Sequence, residues 1–396
     1  MTVDATTKPY LERVAEIAPV LAERVADNER ERRLVEPVVE ALREAGMYRM
    51  GVPRHYGGAQ LDPREAAQVA ASLAEVDASA AWNVGIATGG AAFIGLFGPE
   101  VADAVYADGP DAVCAVSTAA PVFLTRSDDG FEANGQVGFV SGAHEASWFV
   151  HLAVILEDGQ MVTDASGQAP LLHVICVERD CVDVLDDWHV SAMRGTGSTA
   201  ISLQGVQVPA ARAVQITHLR PGGHFADPEF QVTPWYTIHM EAATSIGIAR
   251  AAMRELQQLA SWKIGGGPTM QGIKDRERTQ FNLGLARGLV DGAEAYMRSA
   301  MSRALDHAAT EGGTLPDDIK VGLQLSAFQA ADASARAVDL VCEAAGTSSA
   351  RLEHSFERHL RDAHFLAKHA AKSVERVTDV GKMLLGLPTT WPPLAL

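Results

Sequence analysis

The sequence is poor in cysteine, and its cysteines form no motif. Cys114, Cys176, Cys181 and Cys342 are scattered through 396 residues without a CxxC pair. This distribution excludes a disulfide-stapled secreted domain and predicts reduced thiols in a cytoplasmic protein. The polar, acidic N-terminal segment "MTVDATTKPYLERVAE" also lacks the apolar stretch of a secretory signal peptide, which agrees with that expectation.

Long apolar runs and an excess of basic residues are missing as well. No stretch reaches the roughly 18 unbroken apolar residues of a membrane-spanning helix. The chain has 33 Lys and Arg against 50 Asp and Glu, a net charge of -17. Binding to nucleic acid or to an anionic membrane needs clustered basic residues. We therefore expect neither nucleic acid nor a membrane as a partner.

Common nucleotide and metal motifs are absent. The sequence has no GxxxxGK[ST] phosphate loop and no GxGxxG after a predicted strand. His354, His359, His364 and His369 recur every five residues. On a helix five residues advance about 500°, so successive imidazoles would point roughly 140° apart. They cannot converge on one ion, and we predict no metal site.

The chain contains three compositional zones. Residues 1–108 repeat apolar residues at spacings of three and four, which predicts an N-terminal helical domain. Residues 109–215 contain short segments such as "WFVHLAVIL" between turns such as Asn-Gly, which predicts an antiparallel β-barrel or sandwich. Residues 216–396 return to long, Ala-rich segments typical of an antiparallel helical bundle. The predicted fold is mainly α with a central β domain.

Two segments, "FVSGAHEASW" (139–148) and "MRGTGSTAISLQGVQVP" (193–209), are weak signals when taken singly. Together with "MYRMGVPRHYGGAQLD", "CEAAGTSS" and "ERHLRDAHFLAKHAA", in this order, they carry a family resemblance. The chain resembles the acyl-CoA dehydrogenase superfamily and, within it, the two-component flavin-dependent monooxygenases that hydroxylate aromatic compounds. The resemblance implies an N-terminal helical domain, a middle antiparallel β-barrel and a C-terminal four-helix bundle. It also implies a homotetramer, or a homodimer.

The resemblance assigns cofactor-binding residues to three segments. Ser141 falls where relatives place a hydroxyl close to flavin N5, a position at which a hydroxyl can donate or accept. The strand "AVSTAAP" resembles a second flavin-contacting strand, and "AAGTSS" falls where relatives bind the outer part of the cofactor. For Gly346 a helix C-cap is the alternative role, and for Trp148 it is core packing. The implied cofactor-binding residues are Val116, Ser117, Thr118, Ser141, Trp148, Gly346 and Thr347.

The chemistry that the resemblance implies depends on the segment "RDAHFLAKH". Acyl-CoA dehydrogenases remove an α-proton with a Glu, which many carry in a Tyr-Glu-Gly-Thr string shortly after Arg-Asp-Ala. That Glu is absent here. Some relatives take their Glu from an earlier helix, but the nearest candidate, Glu241, lies roughly one turn from the usual place. Aromatic hydroxylases of the family carry a His eight residues after that Arg, where His369 stands, and we predict that His369 and Ser141 are the catalytic residues.

The spacing around His369 predicts a functional helix face. Asp362, Phe365, Leu366 and His369 follow an i, i+3, i+4, i+7 pattern, so one largely apolar face would turn towards flavin and substrate. An imidazole has an ordinary pKa of about 6.5 and can take a proton from a phenol or an indole N–H. The alternative is a buried His that is satisfied by a backbone carbonyl. His364 lies about 200° from Asp362 around the helix and is a poorer candidate.

The resemblance implies a reaction and its partners. A separate NAD(P)H:flavin reductase would supply FADH2 or FMNH2, which reacts with O2 to give a C4a-hydroperoxyflavin that hydroxylates a small phenolic, indolic or polycyclic substrate. Dehydrogenases usually hold the FAD pyrophosphate with an Arg eleven residues before Gln280, where this chain has Thr269. That difference favours an exchangeable flavin and leaves FAD against FMN open.

Three other interpretations are an acyl-CoA dehydrogenase-type oxidoreductase, an N-oxygenase of an amino sugar and a flavin-free helical scaffold. For the aromatic hydroxylase, the resemblance and the aromatic content of "HFADPEFQVTPWYTIHM" nominate a set of substrate-binding residues. They are Trp82, Asn83, His144, Trp235 and Tyr236.

Overall fold

The first third of the chain is helical. The computed structural model describes residues 7–163, 170–216, 220–264 and 271–395. Asp77 caps the central helix of this part by accepting hydrogen bonds from the backbone N–H groups of Ser79 and Ala80. The helices are α1 (Thr7–Glu31), α2 (Glu36–Glu44), α3 (Pro63–Ala74), α4 (Ala78–Ile94) and α5 (Pro99–Val105).

Helix α4 is buried along nearly its whole length, and its small residues explain why. A Cβ atom on Gly89 would lie 2.0 Å from the Thr237 hydroxyl oxygen, and one on Gly85 would lie 3.2 Å from Cβ of Met240. Only glycine allows the helix that carries Thr237 and Met240 to approach so closely. The small-residue seam of the sequence therefore brings α4 against the C-terminal helices.

A central β-sheet follows. In the described part of the chain its strand order is β6-β7-β2-β1-β3-β5-β8, with β4 paired to β3. Strands β1 and β3 are parallel, whereas the other pairs are antiparallel. The strands are β1 (Cys114–Ser127), β2 (Gly130–Val140), β3 (Trp148–Glu157), β4 (Gln160–Met161), β5 (Leu172–Glu178), β6 (Asp183–Val184), β7 (Thr199–Pro209) and β8 (Ala213–Gln215).

The expected middle domain differs in one respect: the pair β1–β3 is parallel, so the sheet is mixed and not purely antiparallel. The link between β2 and β3 is not a tight hairpin, because residues 141–147 form a turn that carries the chain past β1. Strand β3 consequently enters the sheet on the far side of β1, running parallel to it. The turn 141–147 lies within the segment that the sequence singled out.

The remaining helices pack on one another and on α3 and α4. The expected class, mainly α with a central β region and a C-terminal helical bundle, is confirmed, while domain boundaries at 108/109 and 215/216 stay a prediction. None of the helices in the described ranges combines the length and apolarity needed to cross a membrane. The C-terminal helices are α6 (Trp235–Trp262), α7 (Glu277–Thr310), α8 (Asp317–Ala345), α9 (Phe356–Leu366), α10 (Val374–Leu384) and α11 (Pro392–Ala395).

Helix α9 ends three residues before His369, so the predicted helix face is wrong. After Leu366 the chain turns: the His369 N–H donates to the Leu366 carbonyl at 3.2 Å, and the Lys372 N–H donates to the His369 carbonyl at 2.8 Å. Nothing in the local propensity of "LAKHAAK" stops a helix there. Tertiary contacts hold the turn, because the Gln324 amide donates to the Ala371 carbonyl at 2.8 Å. His369 is therefore presented from a turn.

Candidate active site

Three parts of the chain meet around His369. Helix α4 contributes Trp82, helix α6 contributes Glu241, and the turn after α9 contributes His369 and Lys372. The Glu241 Oε2 atom lies 3.2 Å from His369 Nδ1 and 3.1 Å from Lys372 Nζ. The Lys372 ammonium also lies 4.6 Å from the centroid of the Trp82 ring. We call Trp82, Glu241, His369 and Lys372 the His369 cluster.

Burial differs sharply within the His369 cluster. The side chains of Lys372 and Glu241 are 0% and 6% exposed, while that of His369 is 35% exposed. The His369 Nδ1 atom faces Glu241, and Nε2 makes no hydrogen bond to a described residue. The imidazole edge that carries Nε2 is therefore available to a ligand.

The charge of Glu241 is set by two opposing effects. Burial raises the pKa of this carboxyl, but the neighbouring His369 and Lys372 lower it further than burial raises it, to about 2. Glu241 is therefore an anion at neutral pH. It compensates the buried Lys372 ammonium and any charge that His369 acquires.

A chain of hydroxyl groups runs from Trp82 into the loop before β7. The Trp82 indole N–H donates to Ser141 Oγ at 2.9 Å. Ser141 Oγ lies 2.7 Å from Ser198 Oγ, which lies 2.6 Å from Thr196 Oγ1. Thr196 in turn donates to the Met193 carbonyl at 2.8 Å. All of these side chains are buried, and we call Ser141, Ser198 and Thr196 the hydroxyl chain.

The backbone is strained on both sides of the hydroxyl chain. Phe139 and Met193 have φ values of 57° and 50°, in the left-handed region that bulky residues avoid. Asp362 on α9 stabilises the second of these by accepting the Met193 N–H at 2.6 Å. Burial raises the pKa of Asp362 to about 7, although Arg361 opposes the effect. Strain of this kind is common at functional sites.

The predicted substrate residues lie in two places. Trp82 belongs to the His369 cluster, and the buried Asn83 donates to the Thr196 carbonyl at 3.1 Å. His144 is exposed beside Gly197. Trp235 and Tyr236 are core residues, and the Tyr236 hydroxyl donates to the Leu61 carbonyl at 2.6 Å.

The two groups of predicted substrate residues are not brought together. No hydrogen bond or ring contact among the described residues joins Trp235 or Tyr236 to the His369 cluster. Their predicted substrate role has no support from these contacts. The aromatic residues at the start of α6 instead contribute to the core.

The predicted cofactor strand contacts the site through Ser117. This hydroxyl is buried and donates to the Gly138 carbonyl at 2.9 Å, which ties β1 to the end of β2 just before Phe139. Thr118 is exposed and Val116 is half-buried. Trp148 is buried, with the Arg212 guanidinium 4.8 Å from its ring centroid, which fits the core role that sequence analysis held open. Its contact with flavin stays a prediction.

Gly346 and Thr347 lie at the other end of the bundle. Gly346 has the C-cap conformation at the end of α8, with a φ of 60°, and its N–H donates to the carbonyls of Cys342 and Glu343. Gly346 and Thr347 are exposed. Their contact with the outer part of a flavin remains a prediction, and Thr269 lies outside the described residues.

Sequence analysis missed several residues of the site. Sequence analysis considered Glu241 only as a displaced base and Ser198 and Thr196 only as part of the segment 193–209, and it did not consider Lys372. Phe139 was missed too: its side chain is 63% exposed two residues before Ser141. By contrast, His364 lies 2.8 Å from Asp339, outside the cluster, as expected for the poorer candidate.

These features fit a flavin. A hydroxyl at Ser141 suits a flavin N5, since N5 is a donor or an acceptor according to its redox state. The exposed phenyl ring of Phe139 offers an apolar face to a planar ring system beside it. His369 Nε2 is the basic nitrogen available to a second ligand at the same site.

Comparison with known proteins identifies the family. Two family models match: the N-terminal domain of acyl-CoA dehydrogenase over residues 11–106, and its C-terminal domain over residues 239–374. A pigment production hydroxylase from Rhodococcus sp. is 27% identical, with 99% of this chain and all of the relative covered. The oxygenase component of an FADH2-dependent resorcinol hydroxylase from Rhizobium sp. is 26% identical, with 97% and 96% covered.

A solved structure agrees with these matches. XiaF from Streptomyces sp., in complex with FADH2 and glycerol, has a TM-score of 0.88 to this chain. The two are 26% identical, with 98% of this chain and 97% of that one covered. The matched models include both helical parts of the molecule and more than half of its residues, so the chain belongs to the acyl-CoA dehydrogenase family.

Proposed function

We propose that the chain is the oxygenase component of a two-component monooxygenase. It takes reduced flavin, FADH2 or FMNH2, from a separate NAD(P)H:flavin reductase in the cytoplasm and uses O2 to hydroxylate a small aromatic substrate. The observation that carries the proposal is that an imidazole with a free nitrogen lies against Trp82, the same residue that donates to Ser141. The hydroxylases among its relatives and the FADH2 in XiaF support the cofactor and reaction type.

Within this proposal each residue has a defined task. The reduced flavin supplies the electrons that activate O2. Ser141 meets flavin N5, and Trp82 fixes the position of the Ser141 oxygen. His369 Nε2 takes the proton from the substrate O–H or N–H, which makes the ring more electron-rich. Glu241 stabilises the imidazolium that results, because its carboxylate lies 3.2 Å from Nδ1.

The dehydrogenase alternative is less well supported by the same site. Glu241 is the carboxylate at the position nearest to a dehydrogenase base. Its pKa of about 2 makes it a weak base, since proton abstraction is most effective when the pKa lies near the working pH. The Glu241 Oε2 atom contacts both Lys372 and His369 and would have to give up these partners before reaching a substrate carbon. The substrate side of the proposal retains Trp82, Asn83 and His144.

We further propose that copies of the chain associate through α7, as a homotetramer or homodimer. Phe281 and Leu285 are exposed on this helix. Gly284, Gly288 and Gly292 follow at intervals of four, and no described atom beyond the local helix backbone lies within 4 Å of the Cβ position of any of them. Such a face suits close packing of a second helix. Sedimentation of the wild type beside Phe281→Asp tests this, with a smaller species expected for the variant.

Single-turnover oxidation tests the proposed reaction. The protein is mixed anaerobically with reduced FAD or FMN and a panel of phenols, indoles and polyketides, and 18O2 is then admitted. We expect one substrate to gain a single labelled oxygen. His369→Ala should lower the rate of that step by about 10²- to 10⁴-fold, whereas His364→Ala, on the far side of α9, should leave it unchanged. A wild-type rate in His369→Ala would refute the role of this imidazole.

A further inference from the structure

The direction of every hydrogen bond in the hydroxyl chain follows from its far end. A carbonyl oxygen can only accept, so Thr196 must donate its single hydroxyl proton to Met193. Thr196 Oγ1 must then accept from Ser198 across the 2.6 Å contact. The Ser198 proton is thereby used, so Ser198 Oγ must accept from Ser141 across 2.7 Å.

Ser141 is left as an acceptor. Its proton points to Ser198, and one of its two lone pairs receives the Trp82 indole N–H at 2.9 Å. Only the second lone pair remains for a ligand. Ser141 is 6%, Ser198 5% and Thr196 1% exposed, so water has little access to supply a substitute partner.

The anchor of the chain is itself held in place. The Thr196 carbonyl accepts from the Asn83 amide and from the Gly142 N–H, both at 3.1 Å. The Met193 carbonyl accepts the last hydrogen bond of the chain, and the Met193 N–H donates to the Asp362 carboxyl, which fixes the position of this residue. The Met193 carbonyl also accepts from the Thr196 N–H at 3.1 Å and from the Trp188 indole N–H at 3.4 Å, so reversing the chain would cost its shortest hydrogen bond, the one from the Thr196 hydroxyl at 2.8 Å.

We infer that Ser198 and Thr196 make the site selective for reduced over oxidised flavin, by holding Ser141 as a hydrogen-bond acceptor. The inference rests on the proposed function, in which Ser141 meets flavin N5. In reduced flavin N5 carries a hydrogen and donates, which matches the free lone pair of Ser141. In oxidised flavin N5 is an acceptor, so Ser141 must first withdraw its proton from Ser198. Neither residue has to touch the flavin for this selectivity.

Two substitutions should allow the Ser141 hydroxyl to donate a hydrogen bond to a ligand, each by a different route. Ser198→Ala removes its acceptor. Thr196→Val removes the acceptor of Ser198, so the Ser198 hydroxyl can rotate and donate to Ser141. The Ser141 hydroxyl can then donate to a ligand, although Thr196 itself does not contact Ser141. In both variants oxidised flavin should bind more tightly relative to reduced flavin. The dissociation constant of oxidised flavin divided by that of reduced flavin should therefore fall about two- to tenfold, because one neutral hydrogen bond contributes roughly that factor to binding.

The experiment measures binding and not turnover. Oxidised FAD or FMN is titrated by fluorescence, and the same flavin reduced with dithionite is titrated anaerobically by calorimetry, for wild type and both variants. Ser202→Ala is the matched control, because Ser202 lies on the same strand β7 but outside the hydroxyl chain. Thermal melts verify that each variant is folded, and Thr196→Val preserves the shape of the side chain.

The outcomes separate the inference from the function it rests on. A lowered ratio in Ser198→Ala and Thr196→Val, with a wild-type ratio in Ser202→Ala, supports the inference. If the wild type hydroxylates its substrate but both variants keep the wild-type ratio within twofold, the inference is wrong and the function stands. If the wild type binds neither form of flavin, the proposed function fails and the inference fails with it.

Discussion

Replacing Glu241 by Gln should destabilise the protein at neutral pH by an amount that the His369 cluster lets us work out. The folded pKa of Glu241 is about 2 against an ordinary value of 4.5, and burial is outweighed by His369 and Lys372. That difference corresponds to about 3 kcal/mol of stability. Losing one partner of a buried ion pair costs a similar amount, about 3–5 kcal/mol, because the other charge is left buried. In Glu241→Gln that charge is Lys372, which is 0% exposed.

The sign of the pH dependence follows from a depressed carboxyl pKa. The contribution of Glu241 is fully present above pH 4.5 and is lost as the pH falls towards 2. Urea denaturation at pH 7, 5 and 3.5 should therefore show a gap between wild type and Glu241→Gln that is constant at the two higher values and smaller at the lowest.

A double substitution tests whether the cost comes from the stranded ammonium. Glu241→Gln combined with Lys372→Met removes both charges and retains an apolar group against Trp82, so it should recover part of the lost stability. The matched control is Arg287→Met, whose ion pair with Asp291 is exposed and worth less than about 1 kcal/mol. The reasoning is refuted if Glu241→Gln costs less than 1 kcal/mol at pH 7, or if the double variant is no more stable than the single one.

Two further substitutions test the strained backbone beside the hydroxyl chain. Burial raises the pKa of Asp362 from 3.8 to about 7, so the protein loses stability as the pH rises from about 4 to 7, and little more is lost above 7. Relative to Asp362→Asn, the wild type should lose about 1.4 kcal/mol per pH unit between roughly pH 5 and 6.5. A parallel pH dependence of the two urea midpoints over that range would contradict this. Phe139→Asn should relieve a left-handed φ, which should raise the free energy of unfolding by about 1 kcal/mol, and it should weaken flavin binding. Phe139→Tyr keeps the ring and should change neither quantity. If Phe139→Asn binds flavin with unchanged affinity, Phe139 is not part of the cofactor site.

The helices and strands were largely predictable because their patterns are long. In α6 to α8 the apolar spacing, and in the sheet the Val- and Ile-rich segments, show over many residues which side chains are buried. The helix or strand propensity of the same residues predicts the same elements. The parallel pairing of β1 and β3 was not predictable in this way. Alternating side chains report which face of a strand is buried, but they carry no information about which neighbour the strand joins or in which direction.

Residues of the candidate site could be predicted from the sequence only where a family motif calls for one residue type. Ser141 and His369 stand out because few other roles need a hydroxyl or an imidazole in those family motifs. The end of α9 was missed because "LAKHAAK" is a good helical sequence, and the stop comes from Gln324, which is 47 residues earlier in the chain. Lys372 was missed because a lysine after a helix is usually solvated. Its burial is visible only when Glu241 and Trp82 are placed around it.

The charge balance of the His369 cluster connects these two residues to the proposed reaction. When the imidazole is neutral, as a base must be, the charges of Glu241 and Lys372 cancel and the cluster carries no net charge. When His369 takes the substrate proton, the cluster acquires one positive charge, and the substrate acquires the negative one beside it. In the proposed reaction the proton would therefore move within a neutral assembly, and the ion pair it creates would lie where the Glu241 carboxylate faces the imidazole at 3.2 Å. Without Lys372 the negative charge of Glu241 would be uncompensated and would repel the deprotonated substrate that the proposed hydroxylation requires. This is a physical reason for a buried lysine in the cluster, although burial of its ammonium group costs desolvation free energy.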